Sequence, residues 1–315
     1  MRLWRLAALL ILALLVGWFQ VRKADTKRRI EEQILEFSKL NWVCYAPTNY
    51  SPRRGVYPTP ESVRTDLQLL KASGFDGIVT YECAGPLEPV ADLAQELGLK
   101  VIQGVWGPAD REELEHAIRK KDKVVAYCVG NEGLGTRYTI GELDEGLTYL
   151  SNRTGVPAAI SEQIHLYFEH PALIDIGDWL FPIVHPHFGN AKSLEGAVGW
   201  VNANTRRLRR AAAARGRQKI LFTKEVGMPS AGDPAYSESA QARFLESMLE
   251  QRELLFAVFE AFDRKGWEHV SPVEPYWGVF RDDRSPKVIA RRMRETLARR
   301  KALSGALRDV SLEAK

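Results

Sequence analysis

The sequence predicts a (β/α)8 TIM barrel, an α/β fold, preceded by an N-terminal membrane-anchor helix. Eight short apolar runs alternate with amphipathic helical patterns between residue 42 and about residue 303. The runs are apolar on both faces, as is typical of parallel strands covered by helices. Eight such units in one stretch of this length favour a closed barrel. An open doubly wound sheet is the alternative, because periodicity alone does not show closure.

The N-terminal residues 1–23 are predicted to form a signal-anchor segment. Leu6 to Phe19 is a continuous apolar run with two basic residues on each side, and with its apolar neighbours it approaches the ~17 residues that span a bilayer. No convincing small-x-small cleavage site follows it, so a cleaved signal peptide is the second interpretation. Positive charge on both flanks leaves the orientation open.

Three further segments follow the anchor. Residues 24–40 are charged, with apolar residues at helical spacing, and predict a short amphipathic spacer. Residues 41–303 form the predicted barrel domain, and residues 304–315 a C-terminal tail.

The predicted strands are the β-prone apolar runs between helical patterns. In order, they are Trp42–Ala46, Gly77–Tyr81, Lys100–Val105, Val124–Gly130, Pro157–Ser161, Asp178–Val184, Lys219–Lys224 and Phe256–Phe262.

Helix boundaries are marked by capping residues and glycines. Thr59-Pro60 opens the first helix of the domain, and Gly74 and Gly98 end the first two. Asp110 with Glu113, and Thr139 with Glu142, predict capping boxes for the next two. The later helices are expected over Val201–Ala214, Ser237–Gln251 and from Pro286 to about Lys301.

Composition and charge exclude several classes of protein. The net charge is +4 and the arginines are dispersed, so the sequence does not predict nucleic-acid binding. The three cysteines, Cys44, Cys83 and Cys128, lack metal-ligand spacing and are too few for a disulfide framework. All three lie in or beside predicted strands, and we expect buried thiols.

Two glutamates mark the ends of predicted strands. Glu132 follows the fourth strand, and Glu225 follows the seventh, just before the turn residues Gly227-Met228-Pro229. Because the C-terminal ends of barrel strands build the active site, the two carboxylates should meet at one mouth. Such a pair suits glycoside cleavage, in which one carboxyl protonates the leaving oxygen and the other attacks or activates water. Buried structural ion pairs are the alternative interpretation.

Aromatic and polar residues near the same strand ends are candidates for sugar binding. Aromatic faces stack on pyranose rings, and Asn131 is placed to donate to a sugar 2-hydroxyl. Trp42 and Trp179, early or within strands, are instead expected in the core. The cleft candidates are Tyr45, Tyr81, Trp106, His185, His187, Phe188, Tyr276 and Trp277.

Several motifs resemble glycoside hydrolase family 17, the β-1,3-glucanases and their bacterial membrane-anchored relatives. Val129-Gly130-Asn131-Glu132 and the segment from Lys224 to Ser230 are similar to its two catalytic motifs. Phe259 to Asp263, followed by Glu274-Pro275-Tyr276-Trp277-Gly278, is similar to its strand-eight and last-loop signature. The likeness extends from about residue 42 to residue 290, with the motifs in family order.

The resemblance implies a retaining mechanism on β-glucan, with β-1,3-linked glucan as the first choice of substrate. By this likeness Glu132 is the acid/base and Glu225 the nucleophile, about 5 Å apart. Tyr45, Tyr81, Asn131, His185, Glu274 and Trp277 are then the candidate substrate-binding residues. No metal or other cofactor is implied, since acid/base and nucleophile suffice.

The chain also departs from the family pattern. Val226 and Met228 replace the usual Thr and Trp of the nucleophile motif, and Val79 replaces an Arg that often precedes Thr-Tyr in strand two. Glu82, directly after that Thr-Tyr, is unusual. These changes leave both candidate catalytic glutamates in place but reshape the mouth, so the chemistry is better predicted than the substrate.

Three alternatives remain open at this point. His185-Pro-His187 has the spacing of a metal site, though no further ligands form a set with it. A non-catalytic carbohydrate-binding barrel would not need both glutamates. Transglycosylation shares the glycosyl-enzyme intermediate with hydrolysis and differs only in the acceptor. An anchor suits a polymer-remodelling enzyme facing the periplasm or cell exterior; secretion after signal cleavage is the other localisation considered.

Overall fold

The computed structural model describes residues 28, 32–189, 191, 193–251, 254–267 and 269–313. The chain divides into two units, Met1–Ser38 and Lys39–Lys315. In the first unit, the described residues 32–38 are helical. Within the described ranges no helix is long and apolar enough to cross a membrane. The predicted anchor, residues 1–23, lies outside them.

The second unit contains eight parallel strands in the order β5-β4-β3-β2-β1-β8-β7-β6. Consecutive strands pair with each other except β5 and β6, and β1 also pairs with β8 through Trp42 opposite Ala257. The strands are β1 Trp42–Cys44, β2 Gly77–Val79, β3 Lys100–Val105, β4 Ala126–Val129, β5 Ala158–Ile160, β6 Trp179–Leu180, β7 Ile220–Val226 and β8 Leu255–Val258.

Backbone hydrogen bonds join the two remaining edges, β5 and β6. The amide of Asp178 donates to Ala158 O at 2.9 Å, and the amide of Ile183 donates to Glu162 O at 2.9 Å. These contacts complete a (β/α)8 barrel, which confirms the predicted class.

Helices alternate with the strands along the outside of the barrel. The fourth of them has the predicted capping box, in which Thr139 and Glu142 each accept from the other's backbone. The helices of the barrel are α1 Pro60–Ala72, α2 Val90–Glu96, α3 Arg111–Arg119, α4 Ile140–Thr154, α5 Leu166–Glu169, α6 Leu194–Ala214, α7 Glu238–Leu249 and α8 Val288–Glu313.

Two details of the predicted helices are wrong, namely one capping box and the end of the last helix. Asp110 caps α3, but Glu113 does not complete a capping box: its carboxylate accepts from the amides of Gly107 (2.8 Å) and Cys83 (3.2 Å). Glu113 thus ties together the loops after β2 and β3. The last helix continues to Glu313, beyond its predicted end near Lys301.

Aromatic side chains fill the barrel below the strand ends. Trp42 and Phe222 meet edge to face at 5.9 Å between ring centroids, and Phe181 lies 5.4 Å from Phe222 and 5.5 Å from Trp179. Both tryptophans are buried, as predicted for core residues. The three cysteines are buried free thiols, also as predicted. The packed interior leaves the C-terminal mouth as the place for a site.

Candidate active site

A cleft of about 740 Å³ opens at the C-terminal ends of the strands. Its walls come from residues that follow β1, β2, β3, β4 and β8, and from the end of β7. Seven residues predicted from sequence line it, namely Tyr45, Tyr81, Trp106, Asn131, Glu132, Glu225 and Glu274. The two strand-end glutamates therefore face one cavity.

Glu225 lies inside β7, one residue before its end, and is 2% exposed. Its Oε1 is 3.3 Å from the ammonium of Lys224, and its Oε2 is 3.2 Å from His185 Nε2. Burial by itself raises the pKa of Glu225, but the charge of Lys224 and the interactions with His185 outweigh it. The pKa of Glu225 is therefore lowered, and the carboxylate stays ionised.

Lys224 is fully buried and is one of the residues of this site that the sequence analysis missed. Its ammonium contacts the Asn131 side-chain oxygen and lies 4.4 Å from the centre of the Tyr81 ring, besides pairing with Glu225. It thus connects the ends of β2, β4 and β7. The available signal was a lysine inside an apolar strand, since a buried ammonium needs a charged partner.

A bulge explains how Lys224 and Glu225 reach the same place. Successive side chains of a regular strand point to opposite faces. In β7, however, Thr223 pairs with Phe256 and Val226 with Val258, so β7 has one more residue than β8 over this interval. Bulges of this kind re-aim side chains and are frequent beside active sites. Here the bulge brings both charged groups to one position.

Glu132 lies on the loop after β4, with a positive φ of 50°. Its amide donates to Ser161 O at 3.1 Å, and its Oε1 accepts from Gln163 Nε2 at 2.8 Å. Burial raises the pKa of Glu132, and the nearby negative charge of Glu225 raises it further. Its environment therefore favours the protonated form.

The loop that carries Glu132 is held at several points. The amide of Gly133 donates to the Tyr138 hydroxyl at 2.9 Å, and that hydroxyl donates to Glu162 at 2.7 Å. Arg137 donates to the carbonyl oxygens of Trp106 and Asn131, and its guanidinium stacks 3.7 Å above the Trp106 ring. These contacts fix the backbone on both sides of Glu132.

Trp277 is not where the sequence analysis expected it. The side chain is only 1% exposed, with its ring centroid 4.8 Å from His185 and 5.3 Å from Phe259. A platform for a sugar ring needs an accessible face, so the predicted stacking role at Trp277 is not supported. The residue instead packs behind His185, which is buried, contacts Glu225 and is not among the residues that line the cleft.

Other predicted aromatics divide between cleft and surroundings. Trp106, 40% exposed, lines the cleft, whereas His187, Phe188 and Tyr276 are not part of its lining. Trp267, in the loop after β8, also lines it. Trp106 and Trp267 are therefore the tryptophans that the cleft wall contains, in place of Trp277.

Two further charged residues line the cleft beside Glu225. Glu260, buried, forms an ion pair with Arg264 at 2.8 Å, and burial raises the pKa of Glu260. The sequence analysis placed Glu260 in a motif but gave it no role, because the sequence around Phe259 does not show whether the Glu260 side chain points into the cleft.

The positions that depart from the family pattern have different surroundings. Val79, Val226 and Met228 are buried in the core. Glu82 lines the cleft and accepts a hydrogen bond of 2.5 Å from the Tyr50 hydroxyl. Burial raises the pKa of Glu82. Of these departures, Glu82 is the one that adds a polar group to the cleft.

The two histidines of the His-x-His pair serve different partners. His185 contacts Glu225, whereas His187 Nδ1 lies 2.7 Å from the Tyr236 hydroxyl. Within the described part of the chain, no three metal-ligating side chains are grouped so as to hold an ion.

Comparison with known proteins agrees with this architecture. A structure of a Rhizomucor miehei β-1,3-glucanosyltransferase mutant with laminaritriose is 18% identical and has a TM-score of 0.63, covering 79% of this chain and 96% of that one. A Formosa endo-laminarinase is 16% identical with a TM-score of 0.69, covering 80% and 86%. The Cryptomeria japonica pollen β-1,3-glucanase CJP38 is 13% identical with a TM-score of 0.59, covering 78% and 97%.

These structures share the fold of the chain. No curated protein matches its sequence. The family model of the BtgE/BtgC glycoside hydrolase domain matches residues 43–278, which include the whole cleft-bearing part of the barrel. The chain therefore belongs to the BtgE/BtgC glycoside hydrolase domain family.

Proposed function

We propose that this glycosidase cleaves β-1,3-linked glucan with retention, through a covalent glycosyl-enzyme. The observation that carries the proposal is the opposite environment of two carboxylates in one cleft: the pKa of Glu132 is raised and that of Glu225 is lowered. Such divergence separates an acid from a nucleophile. The similar folds of a laminarinase and a β-1,3-glucanosyltransferase support the choice of substrate.

The two steps follow from these protonation states. A Glu225 oxygen attacks the anomeric carbon while the Glu132 carboxyl gives its proton to the departing glycosidic oxygen, so the glycosidic bond breaks as an ester to Glu225 forms. Glu132, now ionised, takes a proton from water, which attacks the same carbon and releases Glu225. Lys224 and His185 hold the Glu225 carboxylate ready for the first step.

Transfer to a sugar hydroxyl is the second candidate function. It uses the same ester, with a glucan hydroxyl in place of water. The likeness in fold to a β-1,3-glucanosyltransferase favours it, as does the resemblance to the bacterial membrane-anchored branch of glycoside hydrolase family 17. We propose further that residues 1–23 anchor the chain to a membrane with the barrel in the periplasm or outside the cell.

Product analysis on laminari-oligosaccharides tests the function. We expect shorter products from hydrolysis, longer products in addition if transfer occurs, and anomeric configuration retained in both. E225Q should lower kcat by more than about 10³-fold. E132A should lose about 10²-fold or more on natural glucan but far less on an aryl glucoside whose leaving group needs no proton.

Controls on the same substrates decide the outcome. Q95A, on an exposed face of α2, should keep parental activity. Parental turnover by E225Q would contradict the nucleophile assignment, and equal losses of E132A on both substrates would contradict the acid assignment. Exclusive cleavage of another linkage would contradict the choice of β-1,3-glucan.

A further inference from the structure

One wall of the cleft is a short basic turn after β1. Residues 51–56 fold back on themselves: the amide of Ser51 donates to Val56 O at 2.9 Å, and the amide of Val56 donates to Ser51 O at 3.1 Å. Pro52–Arg54 forms a 3-10 turn between them, and Gly55 closes it in a left-handed conformation with φ of 65°. Arg53 and Arg54 are thus presented by a defined backbone.

Both arginines line the cleft and are exposed. Arg53 contacts Nε2 of His269. Nδ1 of that ring is 3.0 Å from Gly266 O, to which it can only donate, so Nε2 is the acceptor for Arg53. An imidazole nitrogen that accepts carries no negative charge, so the contact does not neutralise Arg53.

Arg54 is without an anionic partner in the described part of the chain. Its side chain runs along Gly266: a Cβ added there would lie 3.5 Å from both Cδ and Nη1 of Arg54. The guanidinium of Arg54 makes no hydrogen bond or ion pair with the described residues. The loop after β8 thus orients this guanidinium without neutralising it.

None of the described carboxylates of the cleft pairs with the turn. Glu225 pairs with Lys224, Glu260 pairs with Arg264, Glu82 accepts from Tyr50 and Glu132 accepts from Gln163, while Glu274 forms no ion pair with either arginine. The turn therefore carries positive charge that no described acid of the cleft neutralises. Two guanidinium groups at a cleft wall match oxyanions, which they bind through paired N–H donors.

We propose that this turn binds an oxyanion substituent, a carboxylate or a phosphodiester, carried by the glucan. The proposal rests on the proposed function for the glucan itself and adds a charged decoration to the substrate class. A wholly neutral glucan would leave both guanidinium groups without the partner that their geometry suits. The site would then select decorated chains over bare ones.

Binding to the full-length E225Q protein tests the proposal without turnover. Three laminari-oligosaccharides of equal length are compared by calorimetry: one unmodified, one carboxymethylated and one bearing a methyl phosphodiester. Two further proteins are made from E225Q. The first also carries R53S/R54S. The second, the control, also carries R206S/R210S, which removes two exposed arginines from α6 with the same change in charge.

We expect R53S/R54S to weaken binding of an anionic oligosaccharide about tenfold, the effect of two partly exposed ion pairs. Binding of the unmodified one should stay within about twofold, since neutral sugars gain little from the charge. The control pair should change neither. Affinity for the anionic forms should also fall as salt rises from 50 to 300 mM. If R53S/R54S weakens binding of only one of the two modified oligosaccharides, that oligosaccharide identifies the oxyanion that the turn binds.

Equal effects of R53S/R54S on neutral and anionic oligosaccharides would overturn the proposal, as would anionic binding that the double substitution leaves intact. Failure of all three ligands to bind would overturn it too. Turnover of the unmodified oligosaccharide by the parent enzyme is recorded separately, and its absence would count against the proposed function instead.

Discussion

At the scale of residues, the site depends on a buried cation, Lys224, placed among the ends of β2, β4 and β7. Lys224 contacts Glu225 and Asn131 and lies against Tyr81, with its own side chain inaccessible to solvent. In a buried environment a charge of this kind acts strongly on its neighbours. Lys224 therefore keeps Glu225 ionised and also holds Asn131, which precedes Glu132.

We predict that K224M shifts the pH dependence of kcat/KM. Glu225 must be ionised to attack, so activity falls as pH falls through its pKa. Lys224 lowers that pKa; without it the pKa rises, and the acid limb of the profile moves to higher pH. Because a buried carboxylate then loses a partner, the free energy of unfolding should also fall by about 3–5 kcal/mol.

The matched control is K219M, directly before the same strand. Lys219 lies five positions before Lys224, about 16 Å along a strand, and it donates to Ile176 O instead of a carboxylate. K219M should leave the acid limb in place. A K224M enzyme with the parental acid limb would show that Lys224 does not set the ionisation of Glu225. Stability is followed by denaturant unfolding of the same samples.

At the scale of elements, the strands bring the catalytic candidates to one end of the barrel, and two local features orient them. The β7 bulge orients Lys224 and Glu225, and the loop after β4 orients Glu132. Sequence analysis found both strands and both glutamates, because apolar runs and capping residues are local signals. It could not place Lys224, since the extra residue in β7 shows only against β8. Nor could it place Trp277, whose burial arises when the last loop packs on His185 and Phe259.

We predict that G130A impairs both stability and activity. Gly130 has φ of 72°, and an added Cβ would lie 2.7 Å from Tyr138 Oη and from Leu143 Cδ2. The left-handed conformation alone costs an alanine about 1–2 kcal/mol. The clash adds to this and displaces the loop that carries Glu132, so kcat on laminari-oligosaccharides should fall as well.

G135A separates the two effects. Gly135 lies in the same loop with φ of 77°, but nothing lies within 4 Å of an added Cβ. The free energy of unfolding of G135A should fall only by the cost of the left-handed backbone conformation, and its kcat should equal that of the parent. Thermal or denaturant unfolding and initial rates are measured on both variants. Equal kcat in G130A and the parent would show that the packing of Gly130 does not position Glu132.

At the scale of the whole molecule, the barrel could be predicted because its physical causes are visible in the chain. Strands covered by helices on one side and packed inside on the other must be apolar on both faces, and eight such runs were present. Trp42 and Trp179 were placed in the core for the same reason, and both are there. The charge pattern of the cleft has no such local cause, since Arg53 and Glu260 meet at one cavity only after the barrel closes.

We predict that residues 1–23 determine where the molecule resides but not how it reacts. The cleft-lining residues fall between Tyr45 and Glu274, so a chain beginning at residue 24 should retain parental kcat/KM on laminari-oligosaccharides. The full chain should sediment with membranes, resist extraction by salt or carbonate, and dissolve in detergent, because ~17 or more apolar residues partition into a bilayer. The shortened chain should stay in the supernatant.

Intact mass distinguishes retention of the segment from its cleavage, and protease added to spheroplasts reports whether the barrel faces outward. A full chain of uncleaved mass in the supernatant would contradict anchoring, and a shortened chain with impaired kcat/KM would show that the segment contributes to the site.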